Sequence, residues 1–278
     1  MRLIDCHAHL WDAGRGFGWI RPGSAHYRTF TIDDLERSGA GLELAGSILV
    51  EASRGDRGET LALRELRLRR PDLVAGYVGN LEVYEGLAPE VFEQLLTEAR
   101  PNGMRLGRPC APELLQVLAK LGVTLDINLR DHALGTAAEL ATRHPELTIV
   151  VNHLGNPGNL RTDDLTGWEH ELQLAAKQPG VLLKISGLLT QQHGVPDQQV
   201  VDLVERAVDA FGPERCVVGS DWPICLPRGS RADSLGLAER GLGRLSGAER
   251  AQVLRHNAVR AYRLDGNLDG AAYVIDSC

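Results

Sequence analysis

At 278 residues with 43% hydrophobic content, the chain can bury a sizeable core as one large domain or two ordinary ones. Its net charge of −7 is spread without a basic block or a long acidic tail, which argues against nucleic acid as the main partner. Five scattered cysteines (Cys6, Cys110, Cys216, Cys225, Cys278) with no C-x-x-C argue against a disulfide or zinc-ribbon framework. No basic-then-apolar leader and no run of eighteen apolar residues is present, so the expectation is a cytoplasmic protein without a membrane span.

Eight short apolar runs rich in β-branched residues predict strands: RLIDCH, GSILVEA, LVAGYVG, NGMRL, VTLDIN, LTIVVNH, GVLLKIS and RCVVGSD. They start near residues 2, 46, 73, 102, 123, 147, 180 and 215. Helical periodicity and helix punctuation fill the intervals. Thr31 with Asp34 resembles a capping box ahead of Leu35, a helix over 59–70 stops at Pro71, and Pro112 opens a helix that Gly122 can close. Further helices are expected over 133–144, 163–178 and 198–211, each stopped by proline or Gly-Pro, and Ser246 with Glu249 caps a last one.

Strand and helix thus alternate eight times with no run of consecutive strands, the pattern of a parallel α/β protein. Eight units fit a single (β/α)8 barrel over residues 1–278 better than an open doubly wound sheet, and no G-x-G-x-x-G follows the first strand. Two connections are long, residues 10–30 and 222–245, and a closed barrel makes them neighbours at the C-terminal mouth. The first carries Trp11, Trp19, Arg21, His26 and Tyr27, a composition suited to a lid over a small ligand.

Strands covered on both faces should carry few polar residues. Here the polar residues collect at the strands' C-terminal ends: His7 and His9, Glu51, Arg105, Asn128, His153, Lys184 with Ser186, and Asp221. Strict alternation puts Asp5, His7 and His9 on one face. A single strand-end histidine is most often structural; so many groups at one rim mark an active site built from several strands.

IDCHAHLWD at the first strand, VVNHLGNP at the sixth, VLLKISGL at the seventh and VVGSDWPIC at the eighth resemble the amidohydrolase superfamily. Within it the chain is most similar to amidohydrolase-2 type lactonases, which act on sugar-acid and pyrone-dicarboxylate lactones. The late H-N-A-V-R-A-Y (His256 to Tyr262) fits that group too, so the resemblance covers nearly the whole chain. It implies that His7, His9 and Asp221 can hold one divalent metal, zinc or manganese, without making the metal obligatory. The fourth strand offers Arg105 and no lysine, and the fifth ends in Asn128 with His132 four residues on. A two-metal site is therefore not expected; Glu51 is a substitute ligand candidate.

The expected activity is hydrolysis of a small lactone, with Asp221 as base for the attacking water. His7, His9 and His153 would polarise the carbonyl, and Lys184 would add positive charge unless a neighbouring Glu51 or Asp221 neutralises it. Arg105, Arg130 and Arg21 are candidates for reading substrate, with Trp222 and Glu51. Several arginines converging on the mouth would favour a carboxylated lactone; one buried and the others solvated would favour a neutral sugar lactone. Trp222 and Trp11 either stack on a sugar ring or plug the barrel top, and Asp5 is expected to act from behind the histidines. The rivals are a metal-dependent decarboxylase of the same superfamily and a non-catalytic ligand-binding barrel. The partner expected is a small molecule; a homo-oligomer is allowed for by the sequence but not encoded in it.

Overall fold

In a computed structural model of the chain, residues 2–264 are described. The tail after Asp265, with Cys278, lies outside the described residues. All eight expected strands are present: β1 Leu3–Ala8, β2 Leu44–Val50, β3 Val74–Asn80, β4 Gly103–Leu106, β5 Thr124–Ile127, β6 Ile149–Val151, β7 Val181–Ile185 and β8 Cys216–Val218. They pair in chain order, every pair parallel. Beyond the last ladder the barrel closes between β1 and the residues after β8. Asp221 N donates to His7 O (2.8 Å) and His9 N to Trp222 O (2.7 Å).

The helices are α1 Ile32–Ser38, α2 Arg57–Arg69, α3 Pro89–Ala99, α4 Pro112–Leu121, α5 Ala133–Arg143, α6 Thr166–Ala176, the short α7 Leu188–Gln191, α8 Asp197–Phe211 and α9 Arg231–Arg240. The chain's last described helix runs from α10 Gly247–Ala251 through a π-helical segment to α11 Asn257–Ala261. Thr31 and Ser246 cap reciprocally with Asp34 and Glu249, and Gly122 ends α4 in the left-handed conformation. The long connection expected over 222–245 is interrupted by α9, whose Ser230–Asp233 capping box is of the same kind as Thr31–Asp34.

One expectation about β1 fails for a local reason. Asp5 pairs with Ser47 of β2 but Ala8 pairs with Leu49, so three steps on β1 oppose two on β2. This bulge shifts the alternation. Ile4 and Cys6 pack inside the barrel with Val150, Leu182 and Val217. Asp5 turns instead to the helical layer, where Arg231 of α9 donates to it at 2.8 Å and also reaches Leu35 O and Ser38 Oγ of α1. After the bulge His7 and His9 face inward. Asp5 therefore does not share their face; it clamps the seam, accepting from His7 N (3.1 Å), Ser220 N (2.8 Å) and Ser220 Oγ (2.6 Å).

The barrel floor is closed by Ala258 and Ala261 of the last helix and by Tyr262 and Leu264 just after it. Above them lies a buried ion pair, Lys184 on β7 with Asp126 on β5 at 2.5 Å, and Tyr262 donates its hydroxyl proton to Asp126 at 2.8 Å. At the mouth the two long loops meet as expected. His26 Nε2 donates to Ile224 O (3.2 Å), while Trp11 donates to Arg28 O (2.8 Å) from within the core.

Candidate active site at the barrel seam

A cavity of about 390 Å³ opens at the C-terminal mouth. His9, Arg105, His153 and Asp221 line it together with Ser53, Asn128, Thr190, Gln191 and the faces of Trp19, Ala52 and Ile224. Its floor is the seam. His9 Nε2 lies 3.5 Å and His7 Nε2 3.8 Å from Asp221 Oδ1. The ring centroids of His7 and His153 are 4.6 Å apart. Three wall residues, Ser53, His153 and Asp221, hold positive φ (61°, 54° and 59°), a conformation that costs ordinary residues about 1–3 kcal/mol each and is kept only where the surroundings impose it.

Glycines behind the site make room for its imidazoles. Gly187, itself at φ 68°, stands against His153: a Cβ there would lie 2.7 Å from His153 Nδ1. Gly219 stands against His7, where a Cβ would lie 2.6 Å from the His7 Cβ. His153 Nδ1 is 2.9 Å from Ser186 Oγ, which also accepts from His153 N at 3.2 Å. When the serine's own proton goes to Nδ1, Nε2–H is left to serve as a donor.

His9 is fixed from the other side. The carbonyls of Val50 (2.9 Å) and Glu51 (3.1 Å) accept from its Nδ1, so Nδ1 carries a proton and Nε2 turns to Asp221. With both nitrogens protonated His9 pairs with Asp221 as a cation; with Nε2 bare it offers a lone pair.

Burial pushes the Asp221 carboxyl up. Positive charge at His153 and His9, with hydrogen bonds from His9 and Thr190, outweighs this and holds its pKa below the ordinary carboxylate value. The Thr190 hydroxyl donates to Oδ2 at 3.0 Å. Burial takes His153 down to about 4, against the pull of Asp221. Burial, with the positive charge of His153 and Lys184, holds His7 well below its usual value. Near neutral pH the cavity therefore presents an ionised carboxylate beside the uncharged imidazole of His153, with uncharged His7 buried behind them.

His7, His9 and Asp221 form a candidate cation site, each offering a ligand atom within 4.8 Å of the others. The donor set fits a divalent ion: His7 Nε2 is buried without a hydrogen-bond partner among the described residues, and His9 Nδ1 is tied to carbonyls as in ligating histidines.

The remaining sequence candidates fall in different places. Glu51 sits behind Arg105 rather than in the cavity. Its carboxylate accepts from Arg105, Asn80 (3.2 Å) and Ser53 N (2.7 Å), which leaves it no part in ligating a metal. Arg105 is thus neutralised, and Ser53 Oγ takes a further hydrogen bond from it at 3.1 Å. Lys184 is fully buried beneath His7, 3.5 Å from its Nδ1, and its counter-ion is Asp126 rather than Glu51 or Asp221. Trp222, 2% exposed, packs edge-on against Phe30 at 5.5 Å and plugs the top. Trp19, 40% exposed, is the loop aromatic that reaches the cavity, anchored by its Nε1 donating to Ala52 O at 2.6 Å. Arg21 is exposed and off the cavity wall; Arg130 is exposed in an adjoining cleft.

Sequence reasoning missed Asp126, Thr190 and Gln191. A lone aspartate inside the apolar run VTLDIN was a signal, because a buried carboxylate needs a buried cation. Thr190 and Gln191 on α7 carried none.

The fold is a (β/α)8 barrel, with the candidate site at its C-terminal mouth. Over residues 4–264 the chain matches the amidohydrolase family, and it belongs to that family. It is 31% identical over 290 residues to an L-fucono-1,5-lactonase of Burkholderia multivorans, covering 94% of this chain and 96% of that one. An L-fucono-1,5-lactonase of Burkholderia ambifaria is 28% identical over 280 residues, with the same shares of 94% and 96%. Among solved structures, an amidohydrolase from Burkholderia multivorans with bound zinc has a TM-score of 0.84 at 28% identity, over 95% of this chain and 100% of that one. A 2,6-dihydroxybenzoate decarboxylase from Rhizobium, at 14% identity and TM-score 0.66 over 96% of this chain and 100% of that one, shares the fold alone. No helix among the described residues is long and apolar enough to cross a membrane.

Proposed function

We propose that the protein opens the ring ester of a neutral, hydroxylated lactone, with Asp221 activating the attacking water. The observation that carries this reading is the Asp221 carboxylate, held ionised on the floor of the cavity between His9 and Thr190. Similarity to two L-fucono-1,5-lactonases supports the substrate class.

Asp221 takes one proton from water as its oxygen adds to the lactone carbonyl. Nε2–H of His153 donates to the carbonyl oxygen as charge develops on it; losing one such donor typically costs about 3 kcal/mol of barrier. The tetrahedral centre then collapses. The ring C–O bond breaks, protonated Asp221 gives its proton to the departing alkoxide, and a hydroxy acid is released. A divalent ion held by His7, His9 and Asp221 would supply Lewis-acid polarisation of the carbonyl and a more acidic water.

The choice of a neutral lactone rests on charge. Arg105 is the one candidate arginine lining the cavity, and Glu51 cancels it. Arg108 is tied to Glu82 (3.0 Å) and Glu85 (2.8 Å) at the surface. A carboxylated lactone or an aromatic acid awaiting decarboxylation would find no uncompensated arginine or lysine among the described residues of the cavity wall, whereas hydroxyl groups can use the remaining guanidinium protons, Asn128 and Gln191.

A pH-indicator assay over neutral aldonolactones, carboxylated lactones and aromatic acids tests this reading, with Asp221→Asn as control. Acid release from neutral lactones, abolished in the variant, is expected. Turnover confined to carboxylated lactones would overturn the substrate class; turnover that survives in Asp221→Asn would overturn the mechanism.

A further inference from the structure

The catalytic cavity does not end at Thr190 and Gln191. Beyond them a second cleft, about 610 Å³ and larger than the catalytic cavity, opens between the loops that follow β5, β6 and β7. Asn128, Thr190 and Gln191 line both spaces. Thr190 also touches Asp221, so the cleft begins one side chain away from the reactive carboxylate.

The loops forming this cleft are tied to one another. Asn156, after β6, donates to Leu129 O after β5 and accepts from Gln191 after β7. Asn159 donates to Gln191 O (2.8 Å) and His193 O (3.2 Å). These bonds brace the walls and leave other groups unspent. The side chains of Asn128, Arg130 and His193 have no hydrogen-bond or ion-pair partner among the described residues, and all three line the cleft. Asp131 and Asp163 line it too, so its charge is mixed and it is no anion trap.

We propose that this cleft is a second sugar-binding subsite, and that the preferred lactone carries a glycosyl substituent beyond the ring that is opened. The inference rests on the lactonase reading above and extends it. Directional amide, guanidinium and imidazole groups of mixed charge suit a neutral hydroxylated ring, whose many hydroxyls both donate and accept. An apolar substituent would leave those groups desolvated and unpaired. A carboxylate would meet Asp131 and Asp163 as well as Arg130. Because the cleft joins the cavity at the Thr190 side, the substituent and the lactone carbonyl are held by one continuous wall.

The test compares kcat/KM for a disaccharide-derived aldonolactone with that for the unsubstituted aldonolactone, in wild type and in Arg130→Ala/His193→Ala. Two or three added hydrogen bonds predict that the wild type prefers the disaccharide lactone by about tenfold or more, expressed chiefly in KM. The double variant, altered at exposed side chains outside the catalytic cavity, should lose that preference yet stay within about twofold of wild type on the unsubstituted lactone. No preference in the wild type, or a preference the variant keeps, overturns the subsite. Silence on both lactones refutes the lactonase reading instead. Calorimetry with the two corresponding aldonic acids then decides the subsite alone: tighter disaccharide binding lost in the variant supports it, and equal binding overturns it.

Discussion

Gly187→Ala tests the role of His153 without substituting the histidine itself. At φ 68° a Cβ is strained, and it would lie 2.7 Å from His153 Nδ1, 3.0 Å from Cγ and 3.1 Å from Cβ. Ordinary contact begins at 3.4 Å, so the ring must recede by 3.4 − 2.7 = 0.7 Å at Nδ1. That movement also disturbs the bond to Ser186, whose Oγ holds both Nδ1 and the backbone N–H of His153. A displacement approaching 1 Å in a group positioned for reaction can cost about 100-fold in rate. The backbone strain adds about 1–3 kcal/mol of destabilisation, which in a protein of this size lowers Tm by about 2–4 °C per kcal/mol. The assay is kcat/KM on a neutral lactone, run well below the Tm of the variant, with circular dichroism to confirm the fold. A loss of about 100-fold with the fold intact is expected. A variant that melts earlier yet keeps wild-type kcat/KM would refute the assignment of His153 as the carbonyl donor.

Asp221→Asn should lower kcat by about 10²–10⁴-fold while leaving the seam's backbone bonds in place, measured against the same lactone. Stability should fall as pH is lowered from about 6.5 towards 4: His153 (about 4) and His7 (well below 6.5) are held low by burial, so the unfolded chain binds more protons in that window, and a Tm that stays flat across it would contradict their burial as neutral rings. Glu51→Gln leaves Arg105 an uncompensated buried cation, expected to destabilise by about 3–5 kcal/mol in denaturant titrations and to turn selectivity towards carboxylated lactones. Zinc added to chelator-treated protein should bind through His7, His9 and Asp221; calorimetry showing unchanged binding in His9→Gln would remove the ion from this triad.

Much of this architecture was written plainly in the sequence. The eight strands and the caps at Thr31, Gly122 and Ser246 depend on local propensity and on residues a few positions apart, which one chain displays directly. H-x-H followed far downstream by G-S-D-W-P located the two sides of the seam. What stayed hidden depends on partners distant in sequence or on departures from ideal geometry. Alternation put Asp5 beside His7 and His9, and the bulge that separates them has no signature in LIDCHAHL. Lys184 and Glu51 read as reactive groups because nothing local shows that Asp126 and Arg105 lie opposite them. Trp11 and Trp19 read alike as lid residues, yet one is buried in the core and the other lines the cavity.

The seam explains why closing this barrel and building its site are one event. β1 and the chain after β8 meet through His7 O with Asp221 N and His9 N with Trp222 O, so the residues that complete the sheet are those that supply the imidazoles and the carboxylate. The strain at Asp221 is met by contacts behind the seam: Asp5 gathers Ser220 and Arg231, and Arg231 reaches on to Ser47 and α1. Removing Arg231 leaves Asp5 a buried, uncompensated charge at the root of the closure. Arg231 is remote from the cavity lining, but loosening it should displace His7 and Asp221 relative to one another before the helices outside unfold. Arg231→Met should therefore lose activity at temperatures where far-ultraviolet circular dichroism still reports a folded barrel, a separation that a merely peripheral ion pair would not produce.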